Sequence, residues 1–312
     1  MPDPRLSPLD DREINAYLTT VTSSILSSCG VPPETVIECY LVSVHPWLPI
    51  VNPIALRRSI TAECITRCTG LVLVIYILLL IPPIFPVANC KGLQLALYTE
   101  CKSLFKLLQT SSWERLTTVQ TGVLLALYEQ GNGDLARASQ TLSTCADMGY
   151  EMGLHGQSPC GELFLQEERC RVWCAIYILD RLLSLDDSGD RTNVVREARP
   201  CDVAPVGDEL WGCGTSDFRS SPVVVSLPCA LGGKFPCFAL QVQAATLLDQ
   251  AQRFTSKFSQ AVIPKSEWDL EFCSLDRSIR KGICDLINNT RCDWECSYRS
   301  VVILLLCVWP DH

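Results

Sequence analysis

Charge is scarce in this chain. Lys, Arg, Asp and Glu make up 19% of its 312 residues, against roughly 25% in average globular proteins. Hydrophobic residues reach 48%. A disordered chain shows the opposite balance, so global disorder is excluded. Basic residues are the scarcer sign: 26 Lys and Arg stand against 34 Asp and Glu, a net charge of -8. A protein that grips nucleic acid through its overall field needs a basic face to displace counterions. This balance argues against such a grip. The length suffices for one large domain or two smaller ones, with a sizeable buried core.

Several motifs are also missing. The N-terminus, Met1-Pro2-Asp3-Pro4-Arg5, lacks the basic start and apolar stretch of a secretory leader. Without secretion, cysteines stay reduced and pack as small apolar side chains. The chain has 19 cysteines, and an odd count fits poorly with a complete disulfide framework. Closed zinc sites bring ligands in C-x2-C pairs, because two thiolates on one tight turn reach one ion. No C-x2-C occurs; the closest pairs, Cys64/Cys68, Cys170/Cys174 and Cys292/Cys296, are spaced i,i+4. On a helix that spacing marks one face. Only His45, His155 and His312 are present. His155 is expected at a helix end. Asp186, Ser188, Asp190 and Glu197 have calcium-loop spacing, but Arg191 stands where the loop needs glycine. There is no P-loop, dinucleotide fingerprint, Gly-x-Ser-x-Gly or His-Glu-x-x-His. The expectation is therefore no catalytic residue, no bound cofactor and no metal site.

A long apolar run is lacking too. Leu71 to Ile81 is unbroken, and Thr69 to Cys90 is uncharged. A spanning helix needs about 20 apolar residues. Here Pro82, Pro83 and Pro86 interrupt the run, removing amide donors and clashing with the preceding turn. The expected element is a buried helix of about three turns. A membrane-associated protein anchored through 69–90 is the competing reading.

What remains is helical periodicity. Ile14, Leu18, Val21 and Ile25 share one face over Glu13 to Leu26. A second helix starts at Pro33 and runs through Val36, Ile37, Tyr40, Leu41 and Val44. His45-Pro46-Trp47-Leu48-Pro49 stops it. Asn52-Pro53 reads as a fresh cap and first turn, leading toward Cys68. Leu93, Leu97, Cys101, Leu104 and Leu108 recur every three or four residues. Ser111-Ser112-Trp113-Glu114 has capping-box spacing, followed by Leu116, Val119, Val123 and Leu127. Gly131-Asn132-Gly133 predicts a turn and Asp134 an N-cap. The stripe from Leu135 to Met152 ends at Gly153 in the C-cap role. Glu167 to Leu185 forms another helix. Its acids fall in the first turn, where the dipole favours them. A glycine- and proline-rich stretch near 188–236 reads as a long irregular loop. Periodicity returns over Phe238 to Phe258, then more weakly over Leu275 to Ile287 and Tyr298 to Cys307. No strand alternation or fixed repeat appears. The fold class is all-α, a multi-helix antiparallel domain.

Four segments, in order, carry a resemblance. Tyr40-Leu41 through His45-Pro46-Trp47-Leu48-Pro49-Ile50 is the first. Ala136-Arg137-Ala138-Ser139 through Met152-Gly153-Leu154-His155 is the second. Glu168-Arg169-Cys170-Arg171-Val172-Trp173-Cys174-Ala175-Ile176-Tyr177-Ile178-Leu179-Asp180-Arg181 is the third. Gln243-Ala244-Ala245-Thr246-Leu247-Leu248 is the fourth. Together they resemble the fungal-specific transcription factor domain. This domain is also called the middle homology region, or the xylanolytic transcriptional activator regulatory domain, of zinc-cluster factors. The resemblance covers roughly 35–305. It implies an N-terminal tail with a short helix over 1–34 and the regulatory domain over 35–309. Arg169, Arg171, Trp173, Asp180 and Arg181 fall on its structural signature. Cys170 and Cys174 replace one Arg and one Trp of the family pattern. Ser188-Gly189-Asp190-Arg191 replaces its Gly-Arg-Pro.

The resemblance implies a nuclear regulator of transcription. Its partners would be the transcription machinery or regulatory proteins, with a small-molecule effector between helices. Full-length family members bind zinc and read CGG-type DNA through six cysteines in two C-x2-C-x6-C halves. That cluster is absent from these 312 residues, so zinc and DNA are expected of full-length members and not of this chain. An unrecognised helical enzyme is the remaining alternative. Within the signature, Asp180 and Arg181 are neighbours, which do not face each other on a helix. Glu168, Arg169 and Arg171 sit too far back to reach them along the same helix. The expected role for Asp180 and Arg181 is an ion-pair network with another element, against a solvated face.

Overall fold

Pro33 opens the first continuously described helix, since its missing amide costs nothing there and its ring holds a helical φ. In the computed structural model the described residues are 16–17, 20–21, 24, 32–58, 71, 74–75, 90–109, 115–156, 163–186, 193–195, 205, 211, 237–259 and 265–288. Among them stand eight helices and no strand. The all-α reading holds.

The chain divides into two compact units, one of Met1–Pro46 with Ile50–Leu154 and one of Trp47–Pro49 with His155–His312. The first contains α1 (Pro33–Ser43), α2 (Pro53–Arg58), α3 (Cys90–Gln109), α4 (Arg115–Gly131) and α5 (Leu135–Glu151). Asn52 caps α2: its Oδ1 accepts the Ala55 amide at 2.8 Å. Asp134 caps α5, accepting the Arg137 amide at 3.2 Å. Gly133 (φ +77°) makes the α4–α5 turn and Gly153 (φ +67°) ends α5. Both sit in the left-handed region where a side chain is strained. The Leu154 amide then closes onto the Gly149 carbonyl at 2.8 Å.

The centre of α4 is buried from Thr118 to Ala126. Packing there is close. A Cβ on Gly122 would clash with the Cys145 sulfur on α5 and meet Phe105 Cε2 on α3 at 2.6 Å. These three helices therefore need glycine at that point.

The second unit contains α6 (Leu163–Asp186), α7 (Cys237–Ser259) and α8 (Lys265–Asn288). Leu240, Ala244, Leu247, Leu248 and Ala251 of α7 form a core with Ile279 of α8. Leu182 of α6 and Leu275 and Ile283 of α8 close around it. Two boundaries differ from the sequence reading. Helix α6 begins at Leu163, not at Glu167, so Glu167 sits in its second turn. Helix α8 begins at Lys265, ten residues before Leu275. Its early turns keep contact through Trp268, whose ring meets Phe254 of α7 edge-on at 4.5 Å.

Several expectations fall outside the described residues. They are the Ser111–Glu114 capping box, most of the Glu13–Leu26 helix, Pro82, Pro83, Pro86 and the Tyr298–Cys307 helix. Of the 188–236 stretch, Asn193, Val194, Val195, Pro205 and Trp211 are described. From the apolar run, Leu71, Val74 and Ile75 are helical and buried. Among the described residues no helix is long and apolar enough to cross a membrane.

Candidate functional site

Helix α6 carries every signature residue, and its burial explains why they matter. Arg171, Asp180 and Arg181 are each 0% exposed. A buried charge is costly unless it is paired and hydrogen-bonded, so each must be accounted for.

Arg171 is held in four ways. Its Nε donates to Glu167 Oε1 at 2.7 Å, one turn back on the same helix. Its Nη1 donates to the Pro49 carbonyl at 3.4 Å. Its guanidinium lies 4.9 Å from the centroid of the Trp211 ring and 5.7 Å from that of Phe238. A cation over an aromatic face is attracted by the ring quadrupole, more so where water is excluded. Arg171 thus joins α6, the Trp47–Pro49 segment, Trp211 and the start of α7. Glu167 was read as a dipole-matching acid of the first turn. Because α6 starts a turn earlier, it is instead the buried counter-ion of Arg171.

Asp180 and Arg181 form the second set. Arg181 Nη1 donates to Asp180 Oδ2 at 2.9 Å. The sequence reading excluded this pairing between helix neighbours. The long guanidinium folds back far enough to make it. The expected partner on another element is also present: Arg181 Nε stands 2.8 Å from Asp249 Oδ1 on α7. That approach is an ion pair without an aligned hydrogen bond. Arg181 Nη2 donates to the Val195 carbonyl at 2.7 Å. The Tyr177 ring lies 4.7 Å below the guanidinium. Asp180 in turn accepts the amides of Val194 (3.3 Å) and Val195 (3.0 Å). Arg253, half-exposed, completes Asp249 at 2.9 Å. Two acids, Asp180 and Asp249, therefore face two bases, Arg181 and Arg253. Counting the half-exposed Arg253, the set is neutral.

The other two signature residues lie elsewhere on α6. Arg169 is half-buried. Trp173 is half-buried and its ring meets that of His155 at 5.9 Å. His155 does follow the end of α5, as expected. Asp186 closes α6, and the rest of the calcium-loop spacing lies outside the described residues.

Electrostatics agree with a holding role. Burial raises the Asp249 carboxyl above its ordinary value, Arg181 opposes that rise, and Asp180 adds to it. Arg253 is lowered, first by burial and then by the like charge of Arg181. Burial also raises the Tyr177 phenol. Two buried sulfurs are held neutral for the same reason. Cys101 and Cys145 are buried, and burial pushes both thiols well above the usual range. A nucleophilic cysteine needs the reverse shift. Among the described residues no cluster of three or more His, Cys, Asp or Glu is arranged to hold a metal ion.

A comparable polar centre lies in the first unit, and the sequence reading missed it. Glu129 on α4 is 1% exposed. Its Oε1 accepts from Tyr98 of α3 at 2.7 Å and pairs with Lys102 of α3 at 2.7 Å. Its Oε2 accepts from Thr141 of α5 at 2.6 Å. One carboxylate thus joins three helices. The signal available was weak: a lone acid directly after the apolar run Val123–Tyr128.

Comparison with known proteins shows which part of this arrangement lies in a shared stretch. The model of the fungal specific transcription factor domain matches residues 37–186. That stretch, just under half of the chain, is similar to the family. The matched stretch begins inside α1 and ends at Asp186, the last residue of α6. The buried signature therefore occupies its final helix. Asp249, which pairs with that signature, lies beyond the matched stretch. The chain is also similar to Transcription factor BOA15 of Botryotinia fuckeliana (strain B05.10), 28% identical over 118 residues. The similarity covers 38% of this chain and 65% of that protein's length. No solved structure matches the chain.

Proposed function

We propose that this chain is a regulatory module of transcription, acting in the nucleus through protein contacts and not through catalysis. The observation that carries the reading is the match of 37–186 to the fungal specific transcription factor domain. The similarity to a transcription factor supports it. The site supports it as well. Its charges are paired with one another and tied to backbone, an arrangement that fixes helices.

DNA reading and zinc belong, on this proposal, to full-length relatives with a C-x2-C-x6-C cluster. This chain has no C-x2-C pair. Its partners are components of the transcription machinery or regulatory proteins, with a small-molecule effector as a further class.

The test is tethering. The full chain is fused to a heterologous DNA-binding module upstream of a reporter. Reporter output should depart several-fold from that of the module alone. A folded, nuclear fusion that leaves output unchanged sinks the regulatory reading. Separately, the purified chain should hold far less than one zinc per molecule and leave a CGG-containing duplex unshifted. Stoichiometric zinc with a shifted duplex overturns the assignment of DNA reading elsewhere.

A further inference from the structure

Arg181 divides its donors among three separate pieces of chain. Nη1 goes to Asp180 on its own helix, Nε faces Asp249 on α7, and Nη2 takes the carbonyl of Val195. Asp180 completes the pattern by accepting the two consecutive amides of Val194 and Val195. The segment Asn193–Val195 is therefore fastened by an anion on its amides and a cation on its carbonyl. Val195 itself is 2% exposed.

We infer that Arg181 couples helix α7 to this fastening, so that the segment is a latch whose hold depends on where α7 sits. The reasoning is geometric. Asp249 pairs with Arg181 and Arg253, and so fixes one edge of the guanidinium that holds the latch. A planar guanidinium offers its donors in a rigid fork. Moving the Nε edge turns the Nη2 edge away from the Val195 carbonyl. It also pulls Nη1 from Asp180 Oδ2, the same oxygen that holds the Val195 amide. Gln252, beside Asp249 on α7, adds a second tie, donating to Ser184 Oγ at 2.9 Å and to the Arg181 carbonyl at 3.4 Å. A ligand or partner that displaces α7 from α6 thereby opens the latch without contacting it. The reverse also holds, since coupling between two sites is reciprocal.

Amide hydrogen exchange of the full chain tests this, because local openings report segment by segment. Asp249→Asn removes the ion pair and leaves the shape of α7 in place. Ala251→Gly weakens α7 without touching the guanidinium and serves as the matched control. Exchange at Val194 and Val195 should rise at least tenfold in Asp249→Asn. In Ala251→Gly it should rise only as far as exchange across α7 itself rises. If Asp249→Asn does not fold, Asp249→Glu takes its place, since one added methylene displaces the carboxylate while keeping its charge. Unchanged exchange at Val195 in whichever of these variants folds overturns the coupling. An equal rise in the glycine control does so too, because the latch would then follow general helix stability alone.

Discussion

Removing the Asp180 carboxylate takes the acceptor from three donors, two of them fully buried. In Asp180→Ala, the Val194 and Val195 amides lose their acceptor and Arg181 Nη1 loses its partner. Arg181 keeps Asp249, but Asp249 also serves Arg253. The set changes from neutral to one excess positive charge, with Arg181 fully buried. Breaking a buried pair by deleting one partner costs about 3–5 kcal/mol. For a folding unit of 150–250 residues, 1 kcal/mol moves Tm by roughly 2–4 °C. A fall of about 6–20 °C is therefore expected. Urea unfolding followed by the helical circular-dichroism signal gives the free energy directly, with the slope unchanged if only stability moved. Arg280→Ala is the internal reference. Its pair with Asp276 is on the surface, where water and salt screen it and little stability is at stake. A loss below about 1 kcal/mol in Asp180→Ala, matching the Arg280 reference, refutes the claim that Asp180 is a buried structural ion.

Three further predictions concern packing, pH and capping. Gly122→Ala places a methyl against Cys145 and Phe105 and should cost about 1–3 kcal/mol. Adding Cys145→Ala should return part of that loss, and strictly additive effects in the double variant would exclude the contact. Tyr98, Tyr177, Cys101 and Cys145 all titrate above their ordinary values, with burial the largest cause at each. Held neutral in the fold, they ionise at ordinary values once unfolded, so the unfolded chain binds fewer protons above roughly pH 9. Stability should be full below that range and fall as pH rises through it, most steeply through the fully buried Cys101 and Cys145. A denaturation midpoint flat between pH 8 and about 10.5 would contradict it. Asp134→Ala removes the cap on the Arg137 amide and should cost about 1 kcal/mol, read as a lower urea midpoint; Asp134→Ser should restore most of it.

How legible this was depends on how local the physics is. The turn at Gly131–Gly133, the Asp134 cap and the Gly153 stop were readable, because each depends on a few consecutive residues. The start of α8 was not. Its first turns carry Glu267, Asp269 and Glu271 and leave Leu270 and Phe272 exposed, which blurs the apolar stripe before Leu275. The network expected of Asp180 and Arg181 was legible in kind, since an acid and a base inside an apolar helix must find partners. Its members were not. Asp249 is 68 residues from Arg181, and no local spacing links them. The Asp180–Arg181 contact was excluded by treating side chains as radial spokes, which a long guanidinium is not. Trp211 was hidden for a different reason: the glycine- and proline-rich sequence around it carries no periodicity from which burial follows.

The spacing of Asp249 and Arg253 on α7 has one more consequence. They are four residues apart with opposite sign, close to one helical turn of 5.4 Å. Helices packed through Leu, Ala and Ile side chains have little in their apolar contacts to forbid a slide by one turn. Here such a slide would carry Arg253 to the place that Asp249 holds, setting one guanidinium against Arg181. Greasy packing lets α6 and α7 associate; the alternating charge lets them meet at one height only.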